Sequence, residues 1–450
     1  MIKRKQSLSF RNKKITLLLL SVGIFAGLSA FGYGAFKNRS LTSTDVKSSA
    51  AGGCTVDAKL VNSCRPWLAA AVGGYTMAGS NTMATQFEFF EKRLNNPNVL
   101  NNPSEPTTIN KKLDFIHIYK GRGYVLDATT LTYVNRPNTY LQLNWKPNDG
   151  AVWNTADGRD SGVNADIDKT AQSIKSVAPK KVMLSVFHEP EDNVTPGSAG
   201  SCTNTSAGGS NGSPADYVNM WQNVRNRFDA LGVNNVVWNV NYMGWDYYNC
   251  LIPLLYPGNG LVDWVTYDPY VGGTKTLTDS GGMTKKFYDY LTSSSDAQHD
   301  YLSKPWGFSE HGYWNKDSNS TEAQAPIYWQ QAKSAIENNT FPKIKLWSVF
   351  DTNGNEPYTF ASLIGLQFNM TVTPNIAEQT AYNDFATAIL NKEIVSPTNT
   401  ADLNSDTKVN IQDLSILISK WSTNTQPADI NKDGTVNIQD LSILISKWTG

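Results

Sequence analysis

The chain has 450 residues and carries 39 Lys+Arg against 39 Asp+Glu, so its formal charge is zero, which excludes a polybasic nucleic-acid binder. Hydrophobic residues make up 40% and charged residues 17%, with 13 Trp, 20 Tyr and 17 Phe, a composition far from that of a disordered chain. The length allows two or three domains, one of them with a large single core.

Residues 1–39 hold eight basic side chains (Lys3, Arg4, Lys5, Arg11, Lys13, Lys14, Lys37, Arg39) and no acidic one, leaving 31 basic against 39 acidic beyond them. The basic cluster precedes an uncharged run from Ile15 to Phe36, the layout of an export signal or of an N-terminal membrane anchor. The basic flank keeps the N-terminus in the cytoplasm and directs the chain beyond Arg39 to the outside. A small polar spacer occupies 40–53. Four cysteines in an exported chain read as disulfides, with Cys54–Cys64 and Cys202–Cys250 the preferred pairing among three connectivities.

From 54 to 393 short apolar runs alternate with stretches of helical periodicity. The strands expected are Leu68–Tyr75, Leu113–Lys120, Tyr140–Lys146, Val182–Glu189, Val236–Asn241, Val262–Tyr270, Trp306–Gly312 and Lys345–Asp351. Helices are expected over Met83–Leu94, Ala165–Val177, Pro214–Leu231, Thr284–Leu291, Glu322–Asn338 and Ile376–Leu390. Eight such units predict an α/β fold, a (β/α)8 TIM barrel of parallel strands. An open doubly wound sheet is the rival, but no Gly-rich phosphate loop follows the first strand.

A short linker at 394–400 leads to an internal repeat at 401–450: Asp402–Asp413 returns 27 residues later as Asp429–Asp440, and each copy continues into LSILISKW. Leu414, Leu417, Ile418 and Trp421 fall on one face of a helix, as do Leu441, Leu444, Ile445 and Trp448. Each loop sets oxygen side chains at positions 1, 3, 5, 9 and 12, as a hard cation such as Ca2+ requires. These are Asp402, Asn404, Asp406, Asn410 and Asp413, then Asp429, Asn431, Asp433, Asn437 and Asp440. The backbone carbonyls of Lys408 and Thr435 would complete each set at position 7. Position 6 favours Gly, which the second loop has at Gly434 and the first replaces with Thr407, so the first site is expected to bind calcium more weakly.

The repeat resembles a type I dockerin, a small all-α domain of two calcium loop-helix units. The resemblance implies docking onto a cohesin module of a scaffold or surface protein. Ile411, Gln412, Ser419 and Lys420, with their copies Ile438, Gln439, Ser446 and Lys447, lie where dockerins meet that partner. A self-contained calcium-stabilised cap is the alternative use.

Barrel active sites lie at the C-terminal ends of strands. The fourth candidate strand ends in His188-Glu189-Pro190-Glu191 and the seventh in Ser309-Glu310-His311-Gly312, which aims Glu189 and Glu310 at one cleft. Facing carboxyls can cleave a glycosidic bond, one protonating the leaving oxygen while the other attacks the anomeric carbon. Taken singly, each could close its strand with a salt bridge. A metal barrel would draw on His117, His188 and His311, which lack partner spacing, and no nucleophile elbow occurs. Trp145, Trp245, Tyr267, Tyr270, Trp314 and Trp347 fall near strand ends, where rings can stack on sugar faces, whereas Trp238 and Trp264 read as packing between strand and helix.

Val72-Gly-Gly-Tyr75, LDFIHIY at 113–119, FHEPED at 187–192, NNVVWNVN at 234–241, YPGNGLVDWVTYDPY at 256–270 and FSEHG at 308–312 are similar in order to glycoside hydrolase family 26. The resemblance implies Glu189 as acid/base, Glu310 as nucleophile, Tyr270 as its orienter, His188 beside the acid and Trp347 as a floor for the sugar. HEPED and FSEHG depart from the family's usual His-Glu-Met-Asn and Ser-Glu-Phe-Gly, which leaves the substrate open. The expectation is a retaining endo-hydrolase without catalytic cofactor, acting on β-1,4-mannan first. A β-1,3-1,4-glucanase, a xylanase or a non-catalytic carbohydrate-binding surface protein are the alternatives. A secreted or surface-held monomer is the default.

Overall fold

The computed structural model describes residues 54–73, 83–100, 102, 104–200, 202, 209–272, 274–314, 322–352, 376–392, 401–404, 408–425, 427–431 and 433–449. The export or anchor segment, both linkers and Asp406 lie outside them. Among the described residues no helix is long and apolar enough to cross a membrane.

Apolar, β-branched runs form β1 (Trp67–Gly73), β2 (Phe115–Lys120), β3 (Tyr140–Trp145), β4 (Val182–Val186), β5 (Val236–Tyr242), β6 (Trp264–Tyr267), a short β7 (Tyr270–Gly272), β8 (Trp306–Trp314) and β9 (Ile344–Thr352). Parallel pairings run from β1 through β6, then β6 to β8, β8 to β9 and β9 back to β1. Eight strands thus close into a TIM-type barrel, and β7 adds a short rung beside the end of β8. Around it lie α1 (Met83–Asn95), α2 (Ala128–Val134), α3 (Ser161–Lys175), α4 (Pro214–Ala230), α5 (Met283–Ser293), α6 (Ala325–Glu337) and α7 (Ile376–Asn391).

Local chemistry sets where these elements stop. The expected sixth strand splits because Pro269 has no N–H for the ladder, and Asp268 lies in the break. The expected fourth strand ends early, at Val186, because Phe187 (φ 55°) and Glu189 (φ 49°) adopt left-handed conformations that lift the chain out of the sheet. Helix α3 starts four residues before its expected first residue, since the Asp160 side chain accepts from the amides of Gly162 and Val163. Ser213 and Asp216 form a capping box that starts α4, with Pro214 pre-set for the first turn.

Strand alternation sorts the barrel into shells. Outward residues such as Leu68, Ile116, Leu141, Leu184 and Val265 join one core with helix residues including Ile167, Met220 and Phe385. Inward residues Trp67, Ala69, Phe115, Met183, Val237, Trp264 and Leu346 form a separate apolar floor. The segment before β1 plugs that floor: the Trp67 and Trp264 indoles donate to the carbonyls of Leu60 and Lys59, and Cys54–Cys64 closes the loop. Trp264 therefore lies inside the barrel rather than between strand and helix. Above the floor runs a hydrogen-bonded polar belt in which Asn239 donates to Ser185 and Thr266, and Gln142 donates to Ser309.

The C-terminal repeat forms α8 (Ile411–Ser419) and α9 (Ile438–Ser446), each capped by an Asn-Asp box. Its small core consists of pairs 27 residues apart: Ala401 with Ala428, Leu403 with Ile430, Val409 with Val436, and Leu417 with Leu444. Leu414 and Leu441 pack partly against it. The expected helix face is corrected at its far end, because each helix stops before Trp421 or Trp448 and leaves these and Ile418 and Ile445 exposed.

Candidate active site

The barrel mouth collects the groups its strands deliver. In β8 the register slips against β9 between Phe308 and His311. This bulge lets the consecutive residues Ser309 and Glu310 both meet interior partners, while His311 turns outward to Tyr328, Trp329 and Phe385. Glu310 is buried, and its two oxygens accept from two phenols, Oε1 from Tyr119 and Oε2 from Tyr270, both at 2.6 Å. Its backbone N–H donates to Asp268 Oδ1 at 3.0 Å.

Asp268 ties the acids together. Asn241 donates to its Oδ2 at 2.9 Å, and its carboxyl and that of Glu189 are close enough to bear on each other's ionisation. The Glu189 backbone N–H donates to the Asn241 carbonyl at 2.9 Å, which anchors this left-handed residue to β5. A half-buried Glu189 and the buried Asp268 and Glu310 therefore form one cluster in which full ionisation is opposed by desolvation and mutual repulsion. Burial, then the charges of Glu310, Asp192 and Glu191, hold Glu189 well above the usual carboxylate range. Burial also raises Glu310, but the two phenols and Lys146 favour its ionised form. The two surroundings differ in sign: that of Glu189 favours the protonated form, while the phenols and Lys146 at Glu310 favour the ionised one.

Lys146, at the end of β3, is the cation whose charge bears on Glu189, Asp192 and Glu310, and its Nζ lies 4.7 Å from the Phe187 ring centroid. The His188 ring packs edge-on to Tyr119 at 5.2 Å. Burial, then Lys146 and His117, keep its imidazole neutral. Burial also lowers His117 and His311 to about 3.

The aromatic set expected in the cleft divides. Trp245 is 43% exposed, just past β5, and Trp314 ends β8. Trp145 is corrected to a packing residue. Its strand points Gln142 and Asn144 inward, so Trp145 faces out, donates to the Gly121 carbonyl at 2.8 Å and packs on Phe228 of α4. Trp347 is corrected for the same reason: its neighbours Leu346 and Ser348 face inward, and the 1%-exposed indole lies among Phe308, His311 and Phe385. Tyr267 also faces outward and donates to the Thr284 carbonyl of α5. Tyr119, Asn241, Asp268 and Lys146 were assigned no role from sequence. A signal for the first three was present, because polar residues recur every second position in FIHIY, VVWNVN and WVTYD, where a fully buried strand would be apolar throughout.

The loop after β4 carries the Cys202–Cys250 disulfide, which ties it to the loop after β5. Asn211 donates to the carbonyls of Gly150 and Ala151, joining that loop to the end of β3.

In the repeat, each position-12 Asp is buried and organises its loop. Asp413 accepts from the amides of Leu403, Asn404 and Asn410, and Asp440 from those of Ile430, Asn431 and Asn437. A carboxylate has about four acceptor sites, so each retains capacity for a cation. Gly434, at φ 93°, makes the sharp turn and donates to Asp429 Oδ2 at 3.0 Å. Among the described residues no three His, Cys, Asp or Glu side chains gather as a metal cluster. Each loop mixes carboxylates with amide and carbonyl oxygens, a donor set that fits calcium.

Several solved structures are similar in fold. The GH26 domain of an endo-β-mannanase/endo-β-glucanase from Prevotella bryantii shares 15% identity over 73% of this chain and 89% of that chain, with a TM-score of 0.42. GH26C from Muricauda sp. shares 14% over 73% of this chain and 87% of that one, with a TM-score of 0.45. A GH26 β-mannanase from Bacteroides ovatus shares 13% over 72% and 88%, with a TM-score of 0.42. No curated protein matches the chain. The C-terminal repeat has a family of its own: residues 400–447 match the model of the dockerin type I domain.

Proposed function

We propose that the chain is a secreted, retaining endo-glycoside hydrolase of a β-1,4-linked polysaccharide, with β-mannan as its first substrate. The observation that carries this reading is Glu310, clamped by Tyr119 and Tyr270 at the mouth of the barrel and linked through Asp268 and Asn241 to the backbone of Glu189. Glu189 donates its proton to the glycosidic oxygen as Glu310 attacks the anomeric carbon. Glu189 then takes a proton from the water that releases the glycosyl-enzyme ester. Asp268 and Asn241 hold the pair in place. Trp245 supplies an exposed face for a sugar ring.

Reducing-sugar release from mannan, lichenan and xylan tests the reading. Wild type is expected to favour mannan and to release product first as the retained anomer. Glu310→Ala is expected to lose about 10⁴-fold or more, as removal of a nucleophile does. Inversion would overturn the two-step route, and equal inactivity of both proteins on all three polymers would favour a carbohydrate-binding protein.

The dockerin-like tail is proposed to hold calcium through Asp402, Asn404, Asp406, Lys408, Asn410 and Asp413, and through Asp429, Asn431, Asp433, Thr435, Asn437 and Asp440. When bound, calcium would cross-link each loop to its helix, and the tail would dock onto a cohesin. Support for docking comes from Ile411 and Ile438, which are 63% and 66% exposed at equivalent places in the two copies. Calorimetric titration is expected to show two unequal calcium sites, the weaker containing Thr407. Absence of heat at millimolar calcium, roughly the weakest range of such loops, would remove the metal.

A further inference from the structure

Glu191 lies two residues beyond the proposed acid, in the short turn Glu191–Asn193, and no step of the proposed reaction uses it. It is 1% exposed. Its Oε1 accepts from the amides of Met243 at 2.8 Å and Gly244 at 3.3 Å, while Oε2 is buried without a hydrogen-bond partner among the described residues. A buried carboxylate with an unmet oxygen is costly, whereas the neutral acid keeps the same accepting carbonyl at much lower cost.

The turn it holds borders the site on both sides. Asn241, two residues before Met243, carries Asp268 on its side chain and the Glu189 amide on its carbonyl. Trp245, an exposed ring just past β5, directly follows Gly244. Gly244 has φ 81°, and a Cβ there would come within 2.9 Å of the Tyr267 ring, so this turn has little alternative path. We propose that Glu191 is a positioning residue whose neutral carboxyl group pins the Met243–Gly244 turn to the end of β4, fixing Trp245 for substrate, and that loss of its proton frees the turn.

The titratable groups facing Glu191 are Glu189 and Asp192 on its own segment, Tyr217 on α4, Tyr242 at the end of β5 and Tyr248 in the next turn. Among them Asp192 opposes ionisation of Glu191 through its charge, whereas burial holds the phenols and Glu189 toward their neutral forms. Burial is the main cause that pushes this carboxyl up to about 8, against the help of the two amides. The site would therefore be set below that pH and loosened above it.

The kinetic part of the proposal rests on the hydrolase reading, so its deciding experiment does not. Full-length protein labelled with fluorotryptophan is titrated across roughly pH 6 to 9 by fluorine NMR, with the Trp245 resonance assigned from Trp245→Phe. The resonance is expected to move with a midpoint near pH 8 in wild type and to stay put in Glu191→Gln, which keeps the accepting carbonyl and cannot ionise. A static resonance in wild type, or the same titration in both, overturns the proposal whatever the protein hydrolyses. On a hydrolysed substrate, Glu191→Leu is expected to lose about tenfold in kcat/KM, mostly through KM, from the lost hydrogen bonds. Glu191→Gln is expected to regain most of it without the alkaline decline, and failure of Gln to regain more than Leu overturns the positioning role.

Discussion

At its lower end the barrel is filled with carbon, from Trp67, Phe115, Met183, Val237, Trp264 and Leu346, under a plug whose carbonyls satisfy both indoles. At its upper end the same strands present Tyr119, Asn144, Asn241 and Asp268, joined by Glu189 and Glu310. The lower end is relaxed: its side chains follow strand alternation and its polar atoms find acceptors. The upper end breaks local rules. It gathers three carboxyls, holds Phe187 and Glu189 at positive φ, bulges β8 and interrupts the sixth run at Pro269. Such features cost stability where they occur and persist because the surrounding structure over-determines them. The difference teaches that the floor contributes stability and the mouth uses part of it to hold three acids close together.

That division can be broken most forcefully from below. Met183 is fully buried in the floor, and Met183→Ala is expected to cost about 2–5 kcal/mol through lost burial and a residual cavity. Denaturant unfolding should record this loss while activity per folded molecule stays near wild type. Proportionate loss of turnover would mean that the floor also tunes the mouth, and the two ends would no longer be separable.

The same contrast explains what the sequence revealed. The floor and outer core were legible because apolar runs bounded by turn residues have one reading in a parallel barrel, and all eight main strands fall where their runs predicted. Carboxyl positions at the ends of two runs were legible because such ends face the cleft. Trp145 and Trp347 were misread because nearness to a strand end says nothing of which face a residue takes. Alternation decides that, and in each case the inward neighbours are polar or small enough to identify it in retrospect, Asn144 in one strand and Ser348 in the other. Tyr119 and Asp268 were passed over because their contacts with Glu310 join distant parts of the chain: Glu310 lies 191 residues from Tyr119. In the tail, the duplicated oxygen pattern identified the loops, but helix periodicity overstated the buried face, since a nine-residue helix offers the small core only its central positions.

A smaller change at the upper end sharpens the comparison further. Tyr119→Phe removes one hydroxyl from Glu310 and leaves the ring packed between His117, 4.6 Å away, and His188. A hydrogen bond to a charged group is worth about 1.5–3 kcal/mol, so kcat/KM should fall by roughly 10- to 150-fold. Direction in pH distinguishes chemistry from packing. Tyr119 favours the ionised form of Glu310 against a burial that raises it, so its removal moves the carboxyl up and the acid limb of the kcat/KM profile to higher pH. Tyr270→Phe should do the same from the other oxygen. The double variant should lose less than the two single losses combined, since each phenol orients the carboxylate for the other. An acid limb that stays in place with Tyr119→Phe would reduce Tyr119 to a packing residue and make the mouth more like the floor.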